Sequence, residues 1–322
     1  MDDTFGGAGM KTIAGAYSLA GIALASELAI PELIPSKIDV SSAVTVRLGT
    51  ISAPPDGLEA IGDGCWANSS RYVLSVPGVA QYEVSHGREI VIDPDVNAPA
   101  VDVRGYLLGT IFVVLCHQRG LLPLHASAVR SVQGVVAFLG RSGDGKSSLA
   151  AQLSRRGFPV VSDDICLVDA PEGLQATVAP AAPWLKLWRN SLDHLGTPAE
   201  GLERVFSDDD KYRLPLEQSG IDEKERTPLH RLVFLERRET SEGAAVSPEI
   251  QEIPRLEAIP MLMNLTHHSW LIDATGQRKE SFLRCGRVLS RARAYRLVRP
   301  WGFEHMDRTL ETLEAFLNRM EG

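Results

Sequence analysis

Gly134-Val135-Val136-Ala137-Phe138-Leu139, then Gly140-Arg141-Ser142-Gly143-Asp144-Gly145-Lys146-Ser147, then Ser148-Leu149-Ala150-Ala151-Gln152-Leu153-Ser154-Arg155-Arg156: this stretch decides the fold. The first segment is a continuous apolar run and reads as a buried strand. The second fits Gly-x-x-x-x-Gly-Lys-Ser, the phosphate-binding loop pattern. The third favours helix and is broken by Gly157. Strand, glycine-rich loop and helix in this order are the context that gives the motif its meaning. Glycines let main-chain amides curl around phosphate oxygens. The following helix adds unpaired N–H groups and the positive end of a dipole. Nucleotide contacts are therefore expected from Gly140, Arg141, Ser142, Gly143, Asp144, Gly145, Lys146, Ser147 and Ser148. Lys146 is expected on the β- and γ-phosphates and Ser147 on Mg²⁺, which makes ATP and Mg²⁺ the expected cofactors.

A second chemical element follows the loop helix closely. Phe158-Pro159-Val160-Val161-Ser162-Asp163-Asp164 is an apolar strand ending in two carboxylates, where a Mg²⁺ ligand belongs in a phosphate-loop protein. The spacing is short compared with switch GTPases and transporter ATPases. Neither the Asn-Lys-x-Asp guanine signature nor the Leu-Ser-Gly-Gly-Gln transporter signature is present. We therefore expect a kinase with both metal ligand and base at this point. Successive strand residues face opposite ways, so the chain must leave strand geometry at Asp163 if both acids are to reach one site. The bland alternative is a pair of aspartates capping a turn.

Outward from this centre, residues 1–100 read as short strands with turn clusters, including an expected hairpin around Ser85-His86-Gly87. This is a small β-rich domain, with residues 1–9 expected to be disordered. Residues 93–100 read as a linker and residues 103–117 as a mostly apolar helix. Leu124-His125-Ala126-Ser127-Ala128-Val129 is a strand. In Asp208-Asp209-Asp210-Lys211-Tyr212-Arg213, Lys211 and Arg213 share a face if extended and could meet phosphates. Residues 236–247 read as a polar surface loop and residues 261–270 have helical character. The arginines at 284, 287, 291, 293 and 296 read as one helix face, and residues 304–320 as a helix packed on the core.

The chain has 322 residues, a formal net charge of −8 and four widely spaced cysteines. The charge argues against nucleic-acid binding. The cysteines form no zinc or disulfide pattern and suit reduced thiols in the cytoplasm. The apolar stretch at residues 12–34 is interrupted by Glu27 and Glu32, so no membrane association is expected.

These residues together resemble the HPr kinase/phosphorylase-like family, and most of all its branch beside lasso-peptide biosynthesis genes. The resemblance rests on Ala16-Tyr17-Ser18-Leu19-Ala20-Gly21 with Ser26-Glu27-Leu28 and Pro31-Glu32-Leu33, on Leu124 to Val129, on the phosphate loop, and on Arg156-Gly157 through Asp163-Asp164. It implies an α/β fold: a P-loop kinase core of HPr kinase/PEP carboxykinase type with a mixed sheet over residues 101–322, behind the β-rich N-terminal domain. It implies Ser147 and Asp164 as Mg²⁺ ligands, Asp163 as general base, His125 assisting beside the phosphates, and possible homo-oligomers. Nothing after Gly196 matches the glycine-rich signature that HPr kinases use for phosphorolysis and partner contact. A peptide acceptor therefore fits better than HPr, and in the lasso branch it is the hydroxyl of a precursor's C-terminal serine. A small-molecule kinase and a nucleotide-binding regulator without transfer activity are the competing readings.

Overall fold

The computed structural model describes residues 13–39, 41–216, 225–238 and 247–320. The expectations for residues 1–9 and for most of the polar segment after Glu236 lie outside these residues. The protein is a mixed α/β structure with two large sheets and one small one.

The first sheet takes eight strands between Gly15 and Pro94. The expected hairpin is there: Ala80–Ser85 pairs antiparallel with Glu89–Pro94. Alternating burial along these strands (Tyr72, Tyr82, Val84, Ile90 and Ile92 inward) gives the sheet one apolar face. The helix Ala100–Gln118 covers it. Val103, Leu107, Ile111, Phe112 and Leu115 join the same core as those strand residues. Tyr82 Oη donates to the Val103 carbonyl at 3.0 Å, and Gln118 bonds Gly87 N–H and the Val84 carbonyl. A boundary at residue 100 thus falls just ahead of a helix that packs with the first sheet. The same core takes in Ile165 and Leu167 from the second. The helix is long and apolar enough to cross a membrane, but 67% of its apolar window is buried inside the protein.

This helix is not regular. Leu107–Ile111 is a π-helical turn, and Gly109 within it has φ −109° and ψ −105°. Such bulges in α-helices often sit at functional sites.

The second sheet runs Gly134–Leu139, Leu122–Ser131, Ile165–Asp169, Thr177–Val178, Thr227–Arg238, Arg293–Pro300, Glu249–Ile253. Gly134–Leu139 also pairs directly, in parallel, with Thr227–Arg238, so the first five strands close a ring. Gly134–Leu139 is buried at all positions but the first, as its continuous apolar sequence demands. One face of the sheet packs on helices Arg255–Asn264 and Arg278–Val288. The other packs on helices Lys146–Arg155 and Met306–Leu317 and on the small sheet containing Trp184–Trp188 and Lys211–Pro215.

The arginine stretch does not form one helix face. Arg284 and Arg287 lie on Arg278–Val288, whereas Arg293 and Arg296 lie on the strand Arg293–Pro300. The chain turns at residues 289–292, and Ala294, Tyr295, Leu297 and Val298 then supply a buried strand pattern. Tertiary burial overrides the spacing of charges here.

Candidate active site

The glycine-rich loop sits between the C-terminal end of Gly134–Leu139 and the helix Lys146–Arg155. Gly145 is the N-cap with φ 78°, and no side chain caps the helix, which leaves its first amides free for an anion. A Cβ at Gly145 would lie 2.8 Å from an Arg299 nitrogen, so only glycine fits.

Two arginines from neighbouring strands pin the loop from outside. Arg237 Nε donates to Asp144 Oδ1 at 2.9 Å, and another of its nitrogens donates to the Gly143 carbonyl at 2.8 Å. Arg299 donates to the Asp144 carbonyl at 2.7 Å. Burial lowers the Arg299 pKa to about 10, opposed by Asp144 and assisted by Arg237. Both guanidiniums lie over the Trp301 ring, at 3.7 and 5.5 Å. Asp144 therefore serves the loop's shape through its side chain. Neither arginine nor Trp301 stood out in the sequence, because strand pairing alone brings residues 237 and 299 together.

Lys146 is buried and donates to the carbonyls of Gly140 and Arg141, both at 2.9 Å. Burial holds its pKa down to about 8, against the pull of Asp164, Asp144 and Asp163. An ammonium this poorly solvated gains strongly from phosphate oxygens.

The aspartate pair splits. Asp163 accepts from the Ser127 hydroxyl at 2.6 Å and from the Lys186 backbone N–H at 2.8 Å. Its carboxylate faces a narrow cleft shared with Arg213 and Trp184 and is not among the residues lining the cavity at the loop. Asp164 turns the other way through a left-handed backbone, φ 67°. That carboxylate lines the loop cavity and receives Lys186 Nζ at 2.7 Å, with His125 Nδ1 at 3.4 Å and His267 Nε2 at 3.9 Å. Burial works to raise its pKa, but the Lys186 charge and the two histidines outweigh this and hold it well below the usual carboxylate range. The general-base assignment to Asp163 thus finds no support in the cavity's lining: Asp164, and not Asp163, lines the cavity at the loop. The left-handed residue re-aims only the second acid.

The loop cavity has a volume of about 250 Å³. His125, Ser142, Gly143, Gly145, Ser147, Ser148 and Lys211 line it, as expected of them. Gly140, Arg141 and Asp144 are not among its lining residues, although Arg141 lines an adjoining cavity. Arg213 is not brought there. It is buried, donates to the carbonyls of Arg204 and Val205, and lies 3.7 Å from Glu32, which ties the small sheet to the segment between the second and third strands. Strand pairing with Trp184–Trp188 sends residues 211 and 213 to different neighbours. Asn190, Phe303 and Met306 also line the cavity, with Trp301 beside the loop, a partly apolar wall suited to a nucleobase.

His267, unnoticed in the sequence, completes a cluster with His125 and Asp164 whose candidate ligand atoms lie within 4.8 Å of one another. The two imidazoles stack edge to face, 4.8 Å between centroids. Imidazole donors favour transition metals, whereas Mg²⁺ wants oxygen. For Mg²⁺ the fitting donors are the Asp164 carboxylate and the Ser147 hydroxyl, which face one cavity beside the loop amides.

No protein-family model matches the chain, and no curated protein matches it. Among solved structures, the Hpr(Ser) kinase/phosphatase from Coxiella burnetii is similar at 12% identity and a TM-score of 0.31, covering 60% of this chain and 90% of that one. A likeness of that size says nothing of activity.

Proposed function

We propose that this protein is an ATP- and Mg²⁺-dependent kinase that transfers the γ-phosphoryl group to a serine hydroxyl of a peptide. One observation carries the reading: a carboxylate, Asp164, lines the same cavity as Lys146, Ser147 and the glycine-rich loop, held there by Lys186 and two histidines. A turn-capping aspartate would face solvent; this one faces the place where a terminal phosphate would lie.

In this reading the loop amides and Lys146 grip the phosphates, with Lys146 exchanging its two carbonyl partners for phosphate oxygens. Ser147 and Asp164 would hold Mg²⁺, which supplies charge neutralisation across the phosphates when bound. The serine oxygen forms a bond to the γ-phosphorus while the bond from phosphorus to the bridging oxygen breaks. ADP leaves with the electron pair, and Lys146 steadies the charge it gains. The hydroxyl proton passes to Asp164, which takes over the role expected of Asp163. A weakly basic carboxylate suffices, because the transition state is loose and asks little of a base. His125, beside Asp164, orients it, and Lys186 keeps it ionised. The acceptor suggested by the resemblance is the C-terminal serine of a lasso-peptide precursor.

The test is mass spectrometry of serine-containing precursor peptides after incubation with ATP, Mg²⁺ and the protein. A gain of one phosphate mass on serine is expected. ATP bound without any transfer to peptides, but with transfer to sugars, would replace the reading by small-molecule kinase.

A further inference from the structure

A second cavity, of about 570 Å³, meets the first at His125, Asp164, Lys186 and Lys211. Its walls come from distant parts of the chain: the irregular helix Ala100–Gln118, residues 205–209, and residues 264–270. Three backbone departures converge on it. Gly109 is the non-helical residue of the π-turn, His268 has φ 51°, and Asp164 has φ 67°. All three residues line this cavity. Side chains rarely adopt such conformations unless the surroundings impose them, and they gather at functional sites. The departures also meet in space: His268 Nε2 lies 3.3 Å from Thr110 Oγ1, beside Gly109, and its ring meets that of His267 edge to face.

We infer that this second cavity is the acceptor site, and that it takes a peptide carrying a bulky apolar side chain next to the phosphorylated serine. The inference rests on the kinase reading above. Asp164 is the one carboxylate, among the described residues, that lines both cavities, so an acceptor hydroxyl reaching it from this side faces the phosphates on the other. Gly109 presents bare backbone, and a Cβ there would meet nothing within 4 Å, which lets a ligand's main chain approach the helix closely. Trp188 and Trp270 flank the opening with 45% and 42% of their surface exposed, and Phe206 lies between the walls. Exposed indoles around a cavity mark a surface made for an apolar partner. In an extended peptide, the residue beside the serine would sit about 3.4 Å further along the chain, within reach of such a rim.

The test uses the full chain with ATP and Mg²⁺ and two synthetic heptapeptides, each ending in its one serine, preceded by leucine in one and by glycine in the other. The leucine peptide is expected to show a KM at least tenfold lower. Trp270→Ala, at an exposed position, should erase most of that preference and leave the KM for ATP unchanged. Gly109→Leu should raise the peptide KM tenfold or more, with the melting temperature as its folding control. Equal KM values for the two peptides would overturn the inference, as would a Gly109→Leu or Trp270→Ala variant that alters the KM for ATP alone. Phosphorylation of neither peptide by ATP-bound protein overturns it too. Absence of ATP binding altogether is a separate result, and sinks the kinase reading itself.

Discussion

Replacing each aspartate of the pair by asparagine separates a framework acid from a reacting one. Asp163 accepts two hydrogen bonds, at 2.6 Å from Ser127 and 2.8 Å from the Lys186 amide. Hydrogen bonds to a charged acceptor contribute roughly 1.5–3 kcal/mol each. In Asp163→Asn one oxygen becomes an NH₂ group, which cannot accept and must face another donor. One bond is lost and the remaining one becomes neutral, so a destabilisation of about 2–4 kcal/mol is expected. Asp164→Asn leaves that framework intact but removes the proton acceptor and the partner of Lys186. Losing a positioned general base lowers kcat by about 10²–10⁴. Urea denaturation and transfer from γ-labelled ATP to serine peptides, measured on both variants, give the comparison. Asp163→Asn should unfold at markedly lower urea and keep, when folded, a kcat within about tenfold of the parent. If instead Asp163→Asn abolishes transfer at unchanged stability while Asp164→Asn remains active, Asp163 does reach the acceptor and the assignment made from the geometry is wrong.

Other outcomes follow from the same site. Lys146→Ala should lose at least tenfold in ATP affinity by calorimetry, since a charge-assisted contact is worth about 1.5–3 kcal/mol; unchanged affinity would dissociate the loop from nucleotide. Burial, then the nearby His267 and His117, hold His268 down to about 4, with Asp164 opposing. Its folded value lies below its unfolded one, so the unfolded chain takes the proton first and stability falls as pH drops from about 6.5 toward 4. His268→Asn, which tolerates the left-handed backbone, should flatten that acid limb in melts recorded across the window.

What could be read from the sequence was what is local. Residues 134–156 carry their strand, loop and helix in contiguous pattern, and the structure has each of them. The division of labour between Asp163 and Asp164 was hidden, because it depends on one backbone angle at residue 164, in a tight turn closed by Ile165 N–H on the Asp163 carbonyl and by the Ser162 hydroxyl on the Ile165 carbonyl. Arg237 and Arg299 support the loop from strands whose register no local pattern reports, with Trp301 just past the end of the second. His267 had one faint signal: two adjacent histidines before Trp270, in a stretch that reads as continuous helix. The structure breaks that stretch into Arg255–Asn264 and Ser269–Ala274, and the break is where the histidines sit. Arg213 escapes a local reading for a similar reason, since its partner Glu32 lies in the opening segment of the chain.

The apolar helix at residues 100–118 closes one hydrophobic interior with its inner side and lends its irregular turn to the wall of the larger cavity. The front sheet and that turn are thus joined through one packed interior, so the position of the sheet sets where one wall of the chamber beside Asp164 stands. A molecule gripping the front sheet, far from any phosphate, would thereby hold a handle on how readily the chamber admits its guest.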